Sequence, residues 1–288
     1  MKHFITVISC TLCILFLPSC IYIKTTMPIQ VKEWNRSSNK KTNDYLQIET
    51  FIQNNTVHSS LGIVVYDNLK YNMYEVYINN NAHEEVLIFS GVHGNEPAGV
   101  LSSIKLIENI SKIDRYKKYN FRIVPVVNPW GYEYSSRYNA DGIDINRDFS
   151  NEQTLSQEAN ILIQHYKTIQ PKIVIDLHET NYNGENYYFV YNNQMESLMR
   201  DFVTSNPSDY KFENNMKYSI YKTENGIIKI SEFIVSIVRM ADRCALSNFF
   251  IQKTKNVVVT ESSSKYQMEK RISFHLDSIQ HILMNGNN

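Results

Sequence analysis

Three short segments of this sequence place histidine and carboxylate side chains where they could bind a metal ion. His93 and Glu96 lie three residues apart, and His178 and Glu261 come later in the chain, each segment directly after a short apolar run. Two histidines and one carboxylate that leave a fourth position open are a common ligand set of catalytic zinc. A single His-x-x-Glu pattern arises often by chance, whereas candidates at the ends of three separate predicted strands favour a metal site.

These candidates depend on the elements that would bring them together. Continuous apolar runs predict buried strands, and apolar residues at helical spacing predict helices between them. The predicted strands are 61–66, 73–78, 86–90, 121–127, 173–177 and 257–260, the first two paired near an edge, and the predicted helices are 97–107, 155–168, 231–252 and 272–283. This alternation predicts an α/β fold, a single domain with a central, mostly parallel mixed sheet flanked by helices on both faces. Ligands of such sheets bind beyond the carboxyl ends of the strands, where the candidates stand.

Further motifs lie among these candidates. The sequence contains HGNE at 93–96, NPWG at 128–131, RYNADGIDINR at 137–147, DLH at 176–178 and TE at 260–261. In this order they resemble the motifs of the zinc metallocarboxypeptidases of the carboxypeptidase A type and of their relatives, the succinylglutamate desuccinylases and aspartoacylases. The resemblance covers most of the predicted domain and implies a zinc carboxypeptidase-like fold.

The resemblance also implies a role for each matching side chain at one Zn²⁺ ion. His93, Glu96 and His178 would be the metal ligands, and Asp144 would accept a hydrogen bond from the first histidine and fix its tautomer. Glu261 would be the general base on a zinc-bound water, whose pKa the metal lowers towards about 7.

The same resemblance assigns the substrate contacts. Arg137 would face the scissile carbonyl and stabilise the developing oxyanion, while Asn146 and Arg147 would capture the free carboxylate of the substrate. A guanidinium suits that task because it grips a carboxylate through two parallel hydrogen bonds. The family also carries a mobile tyrosine, which no motif selects here among Tyr182, Tyr187, Tyr188, Tyr191, Tyr210, Tyr218 and Tyr221.

Three functions remain open. A carboxypeptidase and an N-acyl amino acid deacylase share the cleavage of an amide whose leaving side bears a carboxylate. Only 27 residues follow Glu261, room for a loop and one helix rather than the C-terminal β-rich domain typical of the deacylases, which favours a carboxypeptidase. The third function is that of an inactive peptidase fold that binds without catalysis, although every implied ligand and the general base are present.

The beginning of the chain predicts export. Residues 1–19 have the positive start, apolar centre and small-residue end of a signal peptide, and Cys20 follows in a pattern that resembles a bacterial lipobox. A lipidated Cys20 would anchor the protein in the cell envelope, with 20–45 as a polar tether and 46–288 as the catalytic domain; an ordinary signal peptide is the alternative. In that compartment, murein stem peptides are one possible substrate.

Composition and the remaining polar residues add little chemistry. Lys+Arg and Asp+Glu both number 29, so zero net charge argues against a nucleic-acid binder with a basic surface. Asp176 shares a strand face with His178, and the sequence does not decide whether it supports this histidine or merely lies on the same face. Glu179 is expected to point away from the site. Four other histidines are expected at the surface: His58, His165, His275 and His281.

Overall fold

The computed structural model of this protein describes residues 29–30, 34–149, 154–180, 184–206, 208–218, 221–240 and 244–286. The strands in this part of the chain are β1 (His58–Tyr66), β2 (Leu69–Ile78), β3 (Glu84–Ser90), β4 (Tyr119–Val124), β5 (Ile173–Thr180), β6 (Tyr187–Val190), β7 (Lys217–Tyr218), β8 (Tyr221–Lys222), β9 (Ile227–Lys229) and β10 (Val257–Ser263). The α-helices are α1 (Tyr45–Asn55), α2 (Pro97–Asn109), α3 (Pro129–Glu133), α4 (Gln157–Tyr166), α5 (Asn193–Ser205), α6 (Glu232–Met240), α7 (Leu246–Phe250) and α8 (Met268–Asn285).

The main sheet is mixed and follows the strand order β1-β2-β4-β3-β5-β10-β6-β9. Its centre is parallel, because β3 pairs in parallel with β4 and β5, and β5 with β10. Antiparallel pairs join β1 to β2, β2 to β4 and β10 to β6. The predicted α/β class, the mostly parallel mixed sheet and the paired strands at one edge are all confirmed.

Helices cover both faces of the sheet. On one face α2 lies on β5 so closely that a Cβ atom on Gly99 would be 3.1 Å from the Cβ atom of Leu177. On the other face, Phe89 of β3 packs against Tyr166 of α4 and Phe250 of α7, at ring-centroid distances of 5.3 and 5.1 Å. A strand buried on both sides must be apolar throughout, which explains the continuous apolar runs of the central strands.

The strand β4 is shorter than predicted and shows how proline ends a strand. It stops at Val124 rather than continuing to residue 127, because Pro125 has no N–H group to donate to a neighbouring strand. The chain stays close to β3 nevertheless, since the N–H group of Asn128 donates to the carbonyl oxygen of Gly91 at 2.9 Å. The NPWG segment therefore lies beside the turn that follows β3.

Those two segments touch through their backbones. A Cβ atom on Gly94 would lie 1.8 Å from the carbonyl carbon of Gly131, so the contact is possible only because residue 94 has no side chain. This contact fixes the turn that carries His93 and Glu96 against α3.

The long helix predicted over 231–252 is wrong. Two helices, α6 and α7, occupy the described part of this range, and the residue before α7 is extended (φ −71°, ψ 161°). The carbonyl oxygen of Cys244 accepts a hydrogen bond from the N–H group of Phe149 at 2.9 Å, and the N–H group of Leu246 donates to Asn146 Oδ1 at 2.9 Å. These tertiary hydrogen bonds, which an apolar helical pattern does not reveal, hold the chain out of a helix. Cys244 is buried and lies outside both helices.

Part of the segment predicted as a polar tether, 20–45, packs against the domain. Trp34 Nε1 and Arg36 Nε both donate to the carbonyl oxygen of Ala140, at 2.9 and 2.8 Å. The indole of Trp34 also covers Gly142, where a Cβ atom would lie 2.5 Å from Trp34 Cγ. The described residues of this segment thus hold the RYNADGIDINR loop in place, a contact that their polar composition did not indicate.

The predicted signal peptide and Cys20 lie outside the described residues, so lipidation stays a prediction. Within the described part of the chain, no helix combines the length and the apolar character that crossing a bilayer requires.

Candidate metal centre

The predicted metal ligands meet at the carboxyl edge of the central strands. His93 and Glu96 belong to the turn between β3 and α2, and His178 lies near the end of β5. Because β3 and β5 are neighbours that run in parallel, their ends lie at the same edge of the sheet. The structure therefore brings together three side chains that are up to 85 residues apart in the sequence.

One carboxylate lies between the two imidazole rings. Glu96 Oε1 is 2.8 Å from His93 Nδ1, and Glu96 Oε2 is 2.8 Å from His178 Nδ1. One candidate ligand atom from each side chain can be chosen so that all three lie within 4.8 Å of one another, and all three side chains are buried.

The far nitrogen of each ring is held by another buried carboxylate. His93 Nε2 is 3.2 Å from Asp144 Oδ1, and His178 Nε2 is 3.1 Å from Asp176 Oδ2. A carboxylate therefore faces both nitrogens of each ring, Glu96 at Nδ1 and Asp144 or Asp176 at Nε2. With the proton on Nε2, each ring would present the lone pair of Nδ1 on the side of Glu96, as a metal ligand does. In that tautomer the lone pairs and the Glu96 oxygens would repel one another unless a metal cation lay between them.

The negative charges around His178 also favour a cation at this site. Burial by itself disfavours the charged form of the ring, but Asp176 and Glu96 outweigh burial and raise the pKa of His178 well above its usual range. Asp176 Oδ1 is buried and has no hydrogen-bond partner among the described residues, which adds further uncompensated negative charge. Two imidazoles and a carboxylate are suitable donors for a divalent metal, and these residues fit one metal ion.

Glu261 lies beside this ligand set on the adjacent strand. It stands opposite His178 in the parallel register of β10 with β5, and neighbouring strands are about 4.8 Å apart. The two side chains therefore project from the same face. Burial raises the pKa of the Glu261 carboxyl well above its usual range; His178 opposes this shift, and Glu96 and Asp176 add to it.

Of the two predicted arginines, Arg137 lies beside the first histidine. Arg137 donates through Nε and Nη2 to Asp144 Oδ2, at 3.1 and 2.9 Å, and its Nη1 is 3.3 Å from His93 Nδ1. Burial opposes ionisation of Asp144, but His93 together with the Arg147 and Arg137 guanidinium groups holds its pKa well below the usual range. Asp144 thus contacts the first histidine, as the resemblance implied, and orients Arg137 as well.

Asn146 is held by contacts within the protein. Its Oδ1 accepts a hydrogen bond from the backbone of Leu246, and its Nδ2 is 3.4 Å from His178 Nε2. Arg147 is half-buried and donates a hydrogen bond from Nη1 to the carbonyl oxygen of Asn146 at 2.7 Å. The capture of a substrate carboxylate by this pair stays a prediction, and Arg147 is the member better able to perform it.

Two acidic residues beside the ligands were not assigned a role from the sequence: Asp176, whose role was left open, and Glu179, which was expected to point away. Asp176 holds His178, which alternation along one strand face permitted without requiring. Glu179 points away from the ligand atoms as expected, yet its backbone N–H group donates to Glu96 Oε2 at 3.0 Å. Only the fold shows these contacts, because they depend on how α2 and β5 meet.

The tyrosines remain unassigned. Tyr187 stands directly across from Glu261 in the antiparallel pair of β6 and β10, so the two side chains share one face of the sheet. Tyr188, Tyr191 and Tyr210 are buried in the core. Tyr182 lies outside the described residues.

The surface position expected for His275 is wrong. This residue lies on α8 and is fully buried, with its Nδ1 2.8 Å from the hydroxyl oxygen of Thr260. The helix α8 packs on the face of the sheet opposite the ligands. His275 lies on the side of α8 that faces this sheet, where it is buried.

The fold agrees with comparisons to known proteins. Residues 82–226, half of the chain, match the family described as "Succinylglutamate desuccinylase/Aspartoacylase catalytic domain". The chain belongs to this family. Membership indicates a hydrolase of the metallopeptidase-like class.

Individual relatives come from both branches of the predicted resemblance. The chain is 31% identical over 107 residues to "Probable carboxypeptidase 2" of Arthroderma benhamiae, a match that covers 35% of this chain and 20% of that protein. It is 31% identical over 136 residues to "Probable aspartoacylase" of Prochlorococcus marinus, covering 45% of this chain and 43% of that protein. The chain thus spans about a fifth of the length of the fungal relative.

A solved structure supports the same architecture. A metallo-carboxypeptidase from Burkholderia cenocepacia superimposes with a TM-score of 0.61 at 14% identity, covering 84% of this chain and 67% of that chain. At this identity the similarity concerns the fold alone, which is zinc carboxypeptidase-like.

Proposed function

We propose that this protein is a zinc-dependent carboxypeptidase, a hydrolase that cleaves an amide bond next to a free carboxylate. One observation carries the proposal: His93, Glu96 and His178 converge with both Nδ1 atoms directed at one carboxylate and both Nε2 atoms held by others. Zinc bound there would lower the pKa of a water molecule and polarise the scissile carbonyl.

Glu261 and Arg137 would act on the reacting groups. Glu261 lies beside His178 and has a raised pKa, so its carboxylate is suited to accept a proton and to pass it to the leaving amine. Asp144 fixes two nitrogens of Arg137 and leaves Nη1 near the ligand atoms. From there Nη1 would stabilise negative charge that develops on the carbonyl oxygen.

The contacts of the two predicted arginines indicate which of them would bind a substrate carboxylate. Arg137 already pairs with Asp144 at 2.9 Å, whereas Arg147 donates from Nη1 to the carbonyl oxygen of Asn146. Arg147 would then bind a single carboxylate, such as a peptide C-terminus, through a bidentate contact.

The second candidate is an N-acyl amino acid deacylase. It is supported by the family match and by the Prochlorococcus relative, whose printed name is an aspartoacylase. N-succinyl-glutamate and N-acetyl-aspartate carry more than one carboxylate, so efficient binding would require cationic groups beyond Arg147.

A substrate panel tests both candidates. The zinc-loaded protein would be incubated with unblocked peptides, murein tri- and tetrapeptides, N-acetyl-aspartate and N-succinyl-glutamate, with and without a chelator, and free amino acid would be measured. Chelator-sensitive release from the peptides is expected. Release from the acylated amino acids alone would replace the carboxypeptidase with the deacylase. Silence across the panel with zinc bound would favour the third possibility, an inactive peptidase fold that serves in binding.

Export and lipidation form a separate part of the proposal. We expect Cys20 to be the acylated N-terminus of the mature protein in a bacterial envelope, with murein peptides as accessible substrates. Mass spectrometry of the protein recovered from bacterial membranes should find a lipid-modified peptide that begins at Cys20. An unmodified Cys20, or a different first residue, would contradict this part and leave the hydrolase proposal intact.

A further inference from the structure

The proposed metal ligand Glu96 is also the N-cap residue of α2, and its side chain cannot bind the metal and cap the helix at the same time. An N-cap side chain normally accepts a hydrogen bond from the free N–H groups of the first helical turn. The Glu96 carboxylate is directed at the two histidines instead, and it makes no capping hydrogen bond. Pro97 follows and has no N–H group, so the first free donor of the helix is Ala98.

Residue 179 of the neighbouring strand supplies the missing cap. Glu179 Oε1 accepts the N–H group of Ala98 at 2.6 Å, while the N–H group of Glu179 donates to Glu96 Oε2 at 3.0 Å. One residue of β5 therefore bonds to Glu96 and to the helix turn behind it. The rotation of the Glu96 carboxylate and the position of its backbone are set from the same point.

The carboxylate of Glu179 depends in turn on the C-terminal helix. Arg271 of α8 donates from Nη1 to Glu179 Oε2. The Glu179 side chain is 1% exposed and that of Arg271 is 16% exposed, so water does little to stabilise either charge. Arg271 Nε is buried without a hydrogen-bond partner among the described residues. The sequence thus keeps a buried ion pair here although one of its donors is unsatisfied.

We propose that Glu179 and Arg271 are positioning residues for the metal ligand Glu96, with Glu179 capping α2 from outside the helix and Arg271 holding Glu179 in place. The inference rests on the proposed metal site. Neither side chain faces the ligand atoms, so both act through Glu96. Removing Arg271 leaves a buried carboxylate without its cation, and we expect that carboxylate to turn away and release the Ala98 N–H group.

A second buried arginine provides a matched control. Arg122 pairs with Glu75 at 2.7 Å, and their side chains are 22% and 2% exposed. Arg122 belongs to β4 and Glu75 to β2, two strands that do not carry the proposed metal ligands. Replacing either arginine with methionine removes a charge and keeps similar volume. Both variants should lose thermal stability, but only Arg271→Met should change the metal centre.

The experiment measures metal binding rather than turnover, on the full chain. Zinc affinity would be obtained by competition with a chromophoric chelator, and the Co²⁺-loaded protein would be examined by visible absorption. Arg271→Met should weaken zinc binding by about 10- to 100-fold and alter the Co²⁺ bands, as loss of a residue that orients a metal ligand does. Arg122→Met should keep the wild-type affinity and bands.

A double variant tests the capping role itself. Glu179→Gln with Arg271→Met replaces the ion pair by a neutral acceptor that can still cap α2, and it should recover zinc affinity to within a few-fold of wild type. If Arg271→Met does not fold, Arg271→Lys replaces it in the test, because it keeps the charge. Its zinc affinity should lie below that of the wild type and above that expected for Arg271→Met. Wild-type affinity and bands in Arg271→Met would overturn the inference. Failure of the wild-type chain to bind zinc would overturn the proposed function and this inference together.

Discussion

Two buried histidines on opposite faces of the same sheet show what makes a metal site. His178 lies among carboxylates, and its pKa is raised well above the usual range. His275 is equally buried beneath α8, where it contacts Thr260, and burial lowers its pKa to about 3, with the charges of His178 and Arg271 adding to the effect. Burial alone therefore disfavours positive charge, and the acidic surroundings of His178 reverse that preference.

The difference teaches that residue type and burial do not identify a ligand. Both rings are enclosed, but only His178 has one nitrogen anchored by a carboxylate and the other directed at Glu96. The surroundings of His178 favour a cation, and those of His275 disfavour positive charge on its ring.

The largest expected effect separates the two histidines directly. His178→Ala removes one of three ligands, so we expect zinc affinity to fall by at least about 100-fold and hydrolysis to disappear. His275→Asn should lose stability and retain stoichiometric zinc. Metal content after gel filtration, with circular dichroism to check folding, decides between them. Retention of stoichiometric zinc by His178→Ala would show that His178 is not a metal ligand.

The proposed general base, Glu261, gives the next effect. Glu261→Gln keeps the shape of the side chain but cannot take a proton, so kcat should fall by about 10²- to 10⁴-fold while zinc remains bound. Ser262→Ala changes the next residue, which faces the other side of the strand, and should leave kcat unchanged. Undiminished turnover in Glu261→Gln would remove this residue from the proposed mechanism.

A smaller effect concerns the carboxylate behind His178. Asp176→Asn should still accept the proton of His178 Nε2 but supplies no charge, so zinc affinity should drop by about 10- to 100-fold with a modest change in stability. The measurement is competition with a chelator at fixed pH. An unchanged affinity would mean that the 3.1 Å contact orients nothing.

The smallest effect sharpens the comparison through pH. The pKa of His275 is lower in the folded than in the unfolded state, so the unfolded state binds more protons between about pH 3 and 6.5. This contribution to stability is complete above pH 6.5 and is lost as pH falls, by up to about 1.4 kcal/mol per unit. Urea titrations from pH 6.5 to 4 should therefore give a steeper loss of unfolding free energy for wild type than for His275→Asn. Parallel curves would show that His275 does not titrate differently on folding.

Much of the fold was predictable because its signals are local. Continuous apolar runs identified the central strands, and Pro97 identified the start of α2. The helix predicted over 231–252 failed because the same apolar spacing is compatible with two shorter helices. Hydrogen bonds from Phe149 and to Asn146 decided in favour of these, and they join residues about 100 positions apart in the sequence.

The sequence by itself determined the candidate ligand types, their order and their places at strand ends, because each depends on a few neighbouring residues. His93, Glu96 and His178 could be selected in this way. The fold alone decided which carboxylate holds which ring, that Glu179 and Arg271 support Glu96, and that His275 is enclosed. Each of these depends on how two distant segments pack, and no short-range pattern records that geometry.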